Sequence, residues 1–119
     1  MSQKRIADLW QIQSRFLRSA HLERDFHDPA GLSGYVATKF VGSCLERIGE
    51  GLRRGSGQRA WRLTGHYGSG KSSFALLLAN VLGKRDNSLA PQLRKVVDLS
   101  SCGVLSPEFL PVLVTCSRR

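Results

Sequence analysis

The chain has 119 residues, 41% hydrophobic and 23% charged, which suits about one small soluble domain able to bury a core. Its longest apolar run, Phe74 to Ala79, falls far short of the ~18 residues of a membrane span, so no membrane partner is expected. A formal net charge of +9 favours anionic partners such as nucleotides, nucleic acid or acidic protein surfaces, although the basic residues spread along the chain as they do on a solvated surface.

The start, MSQKRIADLW, lacks the apolar core of a secretory signal, and a cytoplasmic protein is expected. From Arg5 to about Glu23, Ile6, Leu9, Trp10, Phe16, Leu17 and Ala20 share one helical face, interrupted by Gln13. RDFHDPAGLSG, with Asp28-Pro29 and two glycines, reads as a loop, and His21 and His27 as surface residues. A second helix is predicted over Thr38 to Leu52. Its apolar residues Phe40, Val41, Cys44, Leu45, Ile48 and Leu52 recur at three- and four-residue steps, with Thr38 as N-cap. RRGSGQR is an exposed connector, and AWRLT, residues 60 to 64, alternates as a short strand would. Beyond a glycine loop, KSSFALLLANVLG reads as a helix closed by Gly83 and apolar nearly all round, hence buried on several sides. KRDNSLAP is a turn, and QLRKVVDLSSCG fits either a short helix or a short strand. Ser106-Pro107-Glu108 has the form of a helix start, and LPVLVTC that of a second buried strand. Cys44, Cys102 and Cys116 lack metal-ligand spacing and read as free thiols in a reducing compartment.

The chemistry concentrates in TGHYGSGKSS, residues 64 to 73, which satisfies G-x-x-x-x-G-K-[ST] as Gly65, Gly70, Lys71 and Ser72. Gly65, Gly68 and Gly70 let the backbone take positive φ angles and approach an anion with no Cβ in the way. Successive amides then point inward as an anion-binding nest, and the helix starting near Lys71 adds unpaired N–H groups and the positive end of its dipole. Lys71 supplies a full charge for the β- and γ-phosphates, and the Ser72 hydroxyl is the magnesium ligand. Ser73 serves the α-phosphate, and Ser69 completes the cradle. His66 and Tyr67 also belong to the loop, as a proton donor and a stacking contact or, as the favoured reading, as solvent-facing residues.

These residues resemble the Walker A motif of P-loop NTPases. The internal glycine, GxxGxGKS, is similar to AAA+ and related ATPases, ABC ATPases and small-molecule kinases. A helical stretch of roughly 55 residues before the first strand looks like the lead-in of AAA+ and STAND-type ATPases. Small kinases and ABC domains reach their loop sooner. ERDFHDPAGLSGYVATKF also looks like the start of large bacterial ATPases of phage defence and DNA processing.

The resemblance implies an α/β fold, a partial P-loop sheet of two or three strands with an N-terminal helical segment. Residues 1–55 would be the helical lead-in and 56–119 an incomplete nucleotide-binding domain. It also implies ATP and Mg2+ as cofactors, and either other protein subunits or a further C-terminal region as partners. Hydrolysis in such folds needs an apolar strand ending in an acid. VVD offers Asp98 as a weak magnesium partner, LPVLVTC ends without a carboxylate, and Arg118 and Arg119 read as a solvated tail in preference to an arginine finger. The alternatives are a small P-loop kinase and a non-catalytic basic module that binds nucleic acid.

Overall fold

The computed structural model describes residues 5, 6, 10, 20–53, 55–83 and 109–116. Three helices organise them: α1 (Leu22–Phe26), α2 (Lys39–Leu52) and α3 (Lys71–Leu82). None is long and apolar enough to cross a membrane.

α2 begins where local chemistry says it should. The Thr38 hydroxyl accepts from the Val41 amide at 3.3 Å, satisfying one of the donors that a helix start leaves unpaired. Removing that cap with Thr38→Ala should cost about 1 kcal/mol, read as a lower urea midpoint with an unchanged slope. Along the helix, Leu45, Ile48, Gly49 and Gly51 are buried.

α3 is buried on several sides, as its apolar circumference requires. Leu76 and Leu77 are fully enclosed, Phe74 and Ala79 are buried beside them, and the one buried polar side chain of the helix, Asn80, donates back to the Leu76 carbonyl at 2.8 Å. Gly83 caps the C-terminus, its amide reaching the Ala79 carbonyl at 2.9 Å. Phe26, Leu32, Leu45, Ile48 and the α3 residues form one core, with α1 packed against α3.

α1 differs from the expected helix, most of which lies outside the described residues. Ile6 and Trp10, assigned to its apolar face, are exposed. The helix that is present runs through Arg24, Asp25 and Phe26, which the loop reading had covered. The Asp25 carboxylate explains this: it turns back to accept from the His21 amide at 2.8 Å, tying off the start of a new helix, while Arg24 pairs with it at 3.3 Å. The chain then turns through Asp28 to Tyr35. Asp28 accepts from Ala30 at 2.9 Å, and Gly31 sits so close to the Asp25 carbonyl that a Cβ has no room. Leu32 drops into the core from this turn.

The expected α/β sheet is not found. Among the described residues there is no strand and no ladder, so the architecture is helical with extended connections. AWRLT is exposed along its whole length. LPVLVTC, expected as a buried strand, is not buried: Leu113 packs against the core while Leu110, Val112 and Val114 are exposed. Its described backbone links, however, are end contacts: Phe109 N–H to the Leu82 carbonyl at 3.3 Å and Thr115 N–H to Glu23 Oε1 at 3.0 Å. Alternation produces an amphipathic extended segment, whereas a strand also needs a neighbour for its N–H and C=O groups. The predicted turn at 84–91, the ambiguous segment at 92–103 and the helix start at 106–108 lie outside the described residues, as do Asp98, Cys102, Arg118 and Arg119.

Candidate functional site

The glycine loop leads directly into the most deeply buried helix, so its far end is held by the core while residues 65–70 stay exposed. His66 to Ser69 form a turn closed by the Ser69 amide on the His66 carbonyl at 3.2 Å. Gly68 takes φ 78° at the third position, where L side chains are disfavoured. Gly70, the N-cap of α3, has φ 83° and ψ 15°. The chain therefore reverses through two left-handed glycines before the helix starts. Gly65, expected to share this conformation, does not take a positive φ; a Cβ there would meet the Ser69 hydroxyl at 2.8 Å, a side-chain atom that can rotate aside.

Lys71 closes the arrangement. Its side chain crosses back over the loop, and the ammonium donates to the Gly65 carbonyl at 2.9 Å, the His66 carbonyl at 2.5 Å and Ser69 Oγ at 3.2 Å. Those three bonds use all the donors an ammonium has. The first α3 hydrogen bond runs from Phe74 to the Gly70 carbonyl at 2.9 Å. The amides of Lys71, Ser72 and Ser73 make no bond to a described residue, and α3 has no side-chain cap. A cation and a row of open donors thus flank one exposed glycine bend, the arrangement that suits a multiply charged anion.

Ser72 is exposed on the first turn, its hydroxyl bonded to no described residue, and Ser73 is half-buried. Among the described residues no group of three His, Cys, Asp or Glu side chains gathers that could hold a metal ion by itself. Tyr67 is 97% exposed at the tip of the loop, which leaves its ring facing solvent. His66 contributes its carbonyl to Lys71 and lines the adjoining cleft.

That cleft, of about 430 Å³, has no signal in the sequence motif. Leu63 to His66, Ser69 to Lys71 and Phe74 form one wall; Tyr35, Val36, Phe40, Val41 and Cys44 form the other. Phe40, expected on the apolar face of α2, sits one residue before Val41, about 100° round the helix, and is 72% exposed. Val36 is exposed beside it. The available signal was an apolar stripe wider than a single core face, but only tertiary packing shows that the surplus faces the glycine loop. Comparison with family models, with curated proteins and with solved structures returned no match.

Proposed function

We propose that residues Gly65 to Ser73 bind the phosphates of a nucleoside triphosphate, with the cleft beside them taking the base and ribose. The observation that carries this reading is the Lys71 ammonium, drawn back over a left-handed glycine bend whose helix offers open amides. An incoming γ-phosphate competes for the ammonium donors that now satisfy the Gly65 and His66 carbonyls. The exposed position of those carbonyls lets water replace the lost bonds at little cost. The cleft volume lies within the range of about 300–1,000 Å³ typical of small-molecule sites, and its aromatic and aliphatic far wall suits a flat heterocycle.

ATP is the nucleotide of choice because the motif resembles that of AAA+ and STAND-type ATPases. Ser72 would hold the magnesium that travels with it, and that ion would neutralise phosphate charge. Among the described residues no carboxylate lines the cleft, so the function assigned to these residues is binding, with hydrolysis depending on an acid from elsewhere. Calorimetric titration tests the reading. Mg-ATP should bind tightly, tripolyphosphate more weakly, and adenosine weakest of all, since it carries no charge for the loop. Equal affinity for adenosine and ATP would remove the phosphate cradle from the proposal.

A further inference from the structure

We propose that the connector between α2 and the glycine loop docks single-stranded nucleic acid through residues 55–62. This surface is distinct from the nucleotide cleft, and the inference does not depend on that site. No acid occurs between Glu50 and Asp86, and the connector carries Arg53, Arg54, Arg59 and Arg62 within ten residues. Arg53, Arg59 and Arg62 are exposed, with Glu46 and Glu50 of α2 the nearest acids in the sequence. A local cationic surface therefore stands where the chain as a whole only spreads its charge.

The connector is also shaped. Ser56 Oγ donates to the Gly51 carbonyl at the end of α2, the Ser56 amide reaches the Arg53 carbonyl at 3.3 Å, and Gly55 and Gly57 take φ 85° and 71°. These bonds fold Arg53 and residues 55–58 back on the helix end and reduce the entropy lost on binding. Between the last two arginines lies Trp61. Its ring abuts Gly51, where a Cβ would come within 2.8 Å of Cζ2, and the Arg47 guanidinium lies 5.8 Å from the ring centroid. The ring is thus oriented by α2 yet 41% exposed. An aromatic ring held in place and flanked by arginines offers one base a stacking surface and its neighbours phosphate contacts.

Single strands fit this better than the other polyanions. Duplex bases are already stacked, and the connector presents no helix to a groove. A membrane surface calls for an amphipathic helix with several apolar residues to insert, whereas Trp61 is the one large apolar side chain between Arg53 and Arg62.

Anisotropy of a fluorescein-labelled oligothymidylate of about 16 nucleotides tests the proposal, titrated with protein between about 50 and 200 mM salt. Arg59→Ala/Arg62→Ala should weaken binding about tenfold and flatten the log–log salt slope by about 1.4, since each single-strand phosphate contact contributes about 0.7. Trp61→Leu should weaken it about tenfold, with Trp61→Phe restoring most of the affinity. Lys39→Ala, an exposed cation outside the connector, should change it less than twofold. Circular dichroism reports whether each variant is folded, and the arginine pair keeps the test decisive if the tryptophan variants are not. Unchanged affinity and slope in the arginine variant would overturn the proposal. So would tighter binding to a duplex of equal length or to phosphatidylserine vesicles.

Discussion

Lys71→Ala should weaken Mg-ATP binding by about two orders of magnitude while leaving α3 helical. The ammonium is the single full charge that the loop presents, and a hydrogen bond to a charged group contributes about 1.5–3 kcal/mol, or roughly ten- to 150-fold in affinity. The upper part of that range applies because several phosphate oxygens compete for one ammonium. The fold should tolerate the change. Lys71 sits at the first helical position, where alanine is acceptable, and the carbonyls it leaves behind are exposed to water. Equilibrium titration of a fluorescent ATP analogue measures the loss, and far-ultraviolet circular dichroism measures the helix. Wild-type affinity in a folded Lys71→Ala protein would mean that the glycine loop is not the nucleotide site.

The parts of this molecule legible from sequence are those fixed by neighbours within four or five residues. α2 and its Thr38 cap, α3 and its Gly83 closure, and the left-handed glycines before Lys71 all answer to local rules of helix ends and positive φ angles. α1 is hidden in the sequence because the carboxylate that ties off its start, Asp25, belongs to a segment whose Asp-Pro and glycines point to a loop, while its partner His21 lies before it. The helix ends at Phe26, just before those signals act. The sheet was misjudged for a different reason. An apolar run can be read in one segment, whereas burial and pairing depend on a second. LPVLVTC reads as a buried strand, yet Leu110, Val112 and Val114 are exposed and no described segment pairs with them.

The same distinction applies at the candidate site. The bend of the loop depends on its own glycines and lysine, so its conformation follows from neighbouring residues. The far wall of the cleft depends on how the turn at 35–38 and the first turn of α2 come to face the loop, which periodicity does not specify. Both walls are tied to the core through buried side chains, Leu45 and Ile48 on α2 and Phe74 on α3. Site geometry and core packing are therefore coupled through the two helices.

That coupling makes Leu77→Ala, at one of three fully buried leucines, a strongly destabilising truncation. Leu77 is fully buried in the middle of α3, in a core that α1, the turn at Leu32 and α2 all share. Large-to-small changes at such positions cost about 2–5 kcal/mol, because the cavity closes only in part. Against a total stability of about 5–15 kcal/mol, a loss near 3 kcal/mol leaves a substantially weaker fold. It should lower the melting temperature by more than about 10 °C for a unit of this size. Leu110→Ala removes the same side chain where it is 88% exposed and should change stability by less than about 0.5 kcal/mol. Urea denaturation of the two variants side by side isolates burial from residue type, and equal midpoints would contradict the packing of α3. At temperatures where Leu77→Ala remains folded, Mg-ATP affinity should stay close to that of the parent, since the loop glycines and Lys71 are untouched. Above its melting point binding should vanish together with the helix, because the amides of Lys71, Ser72 and Ser73 converge only when α3 is formed.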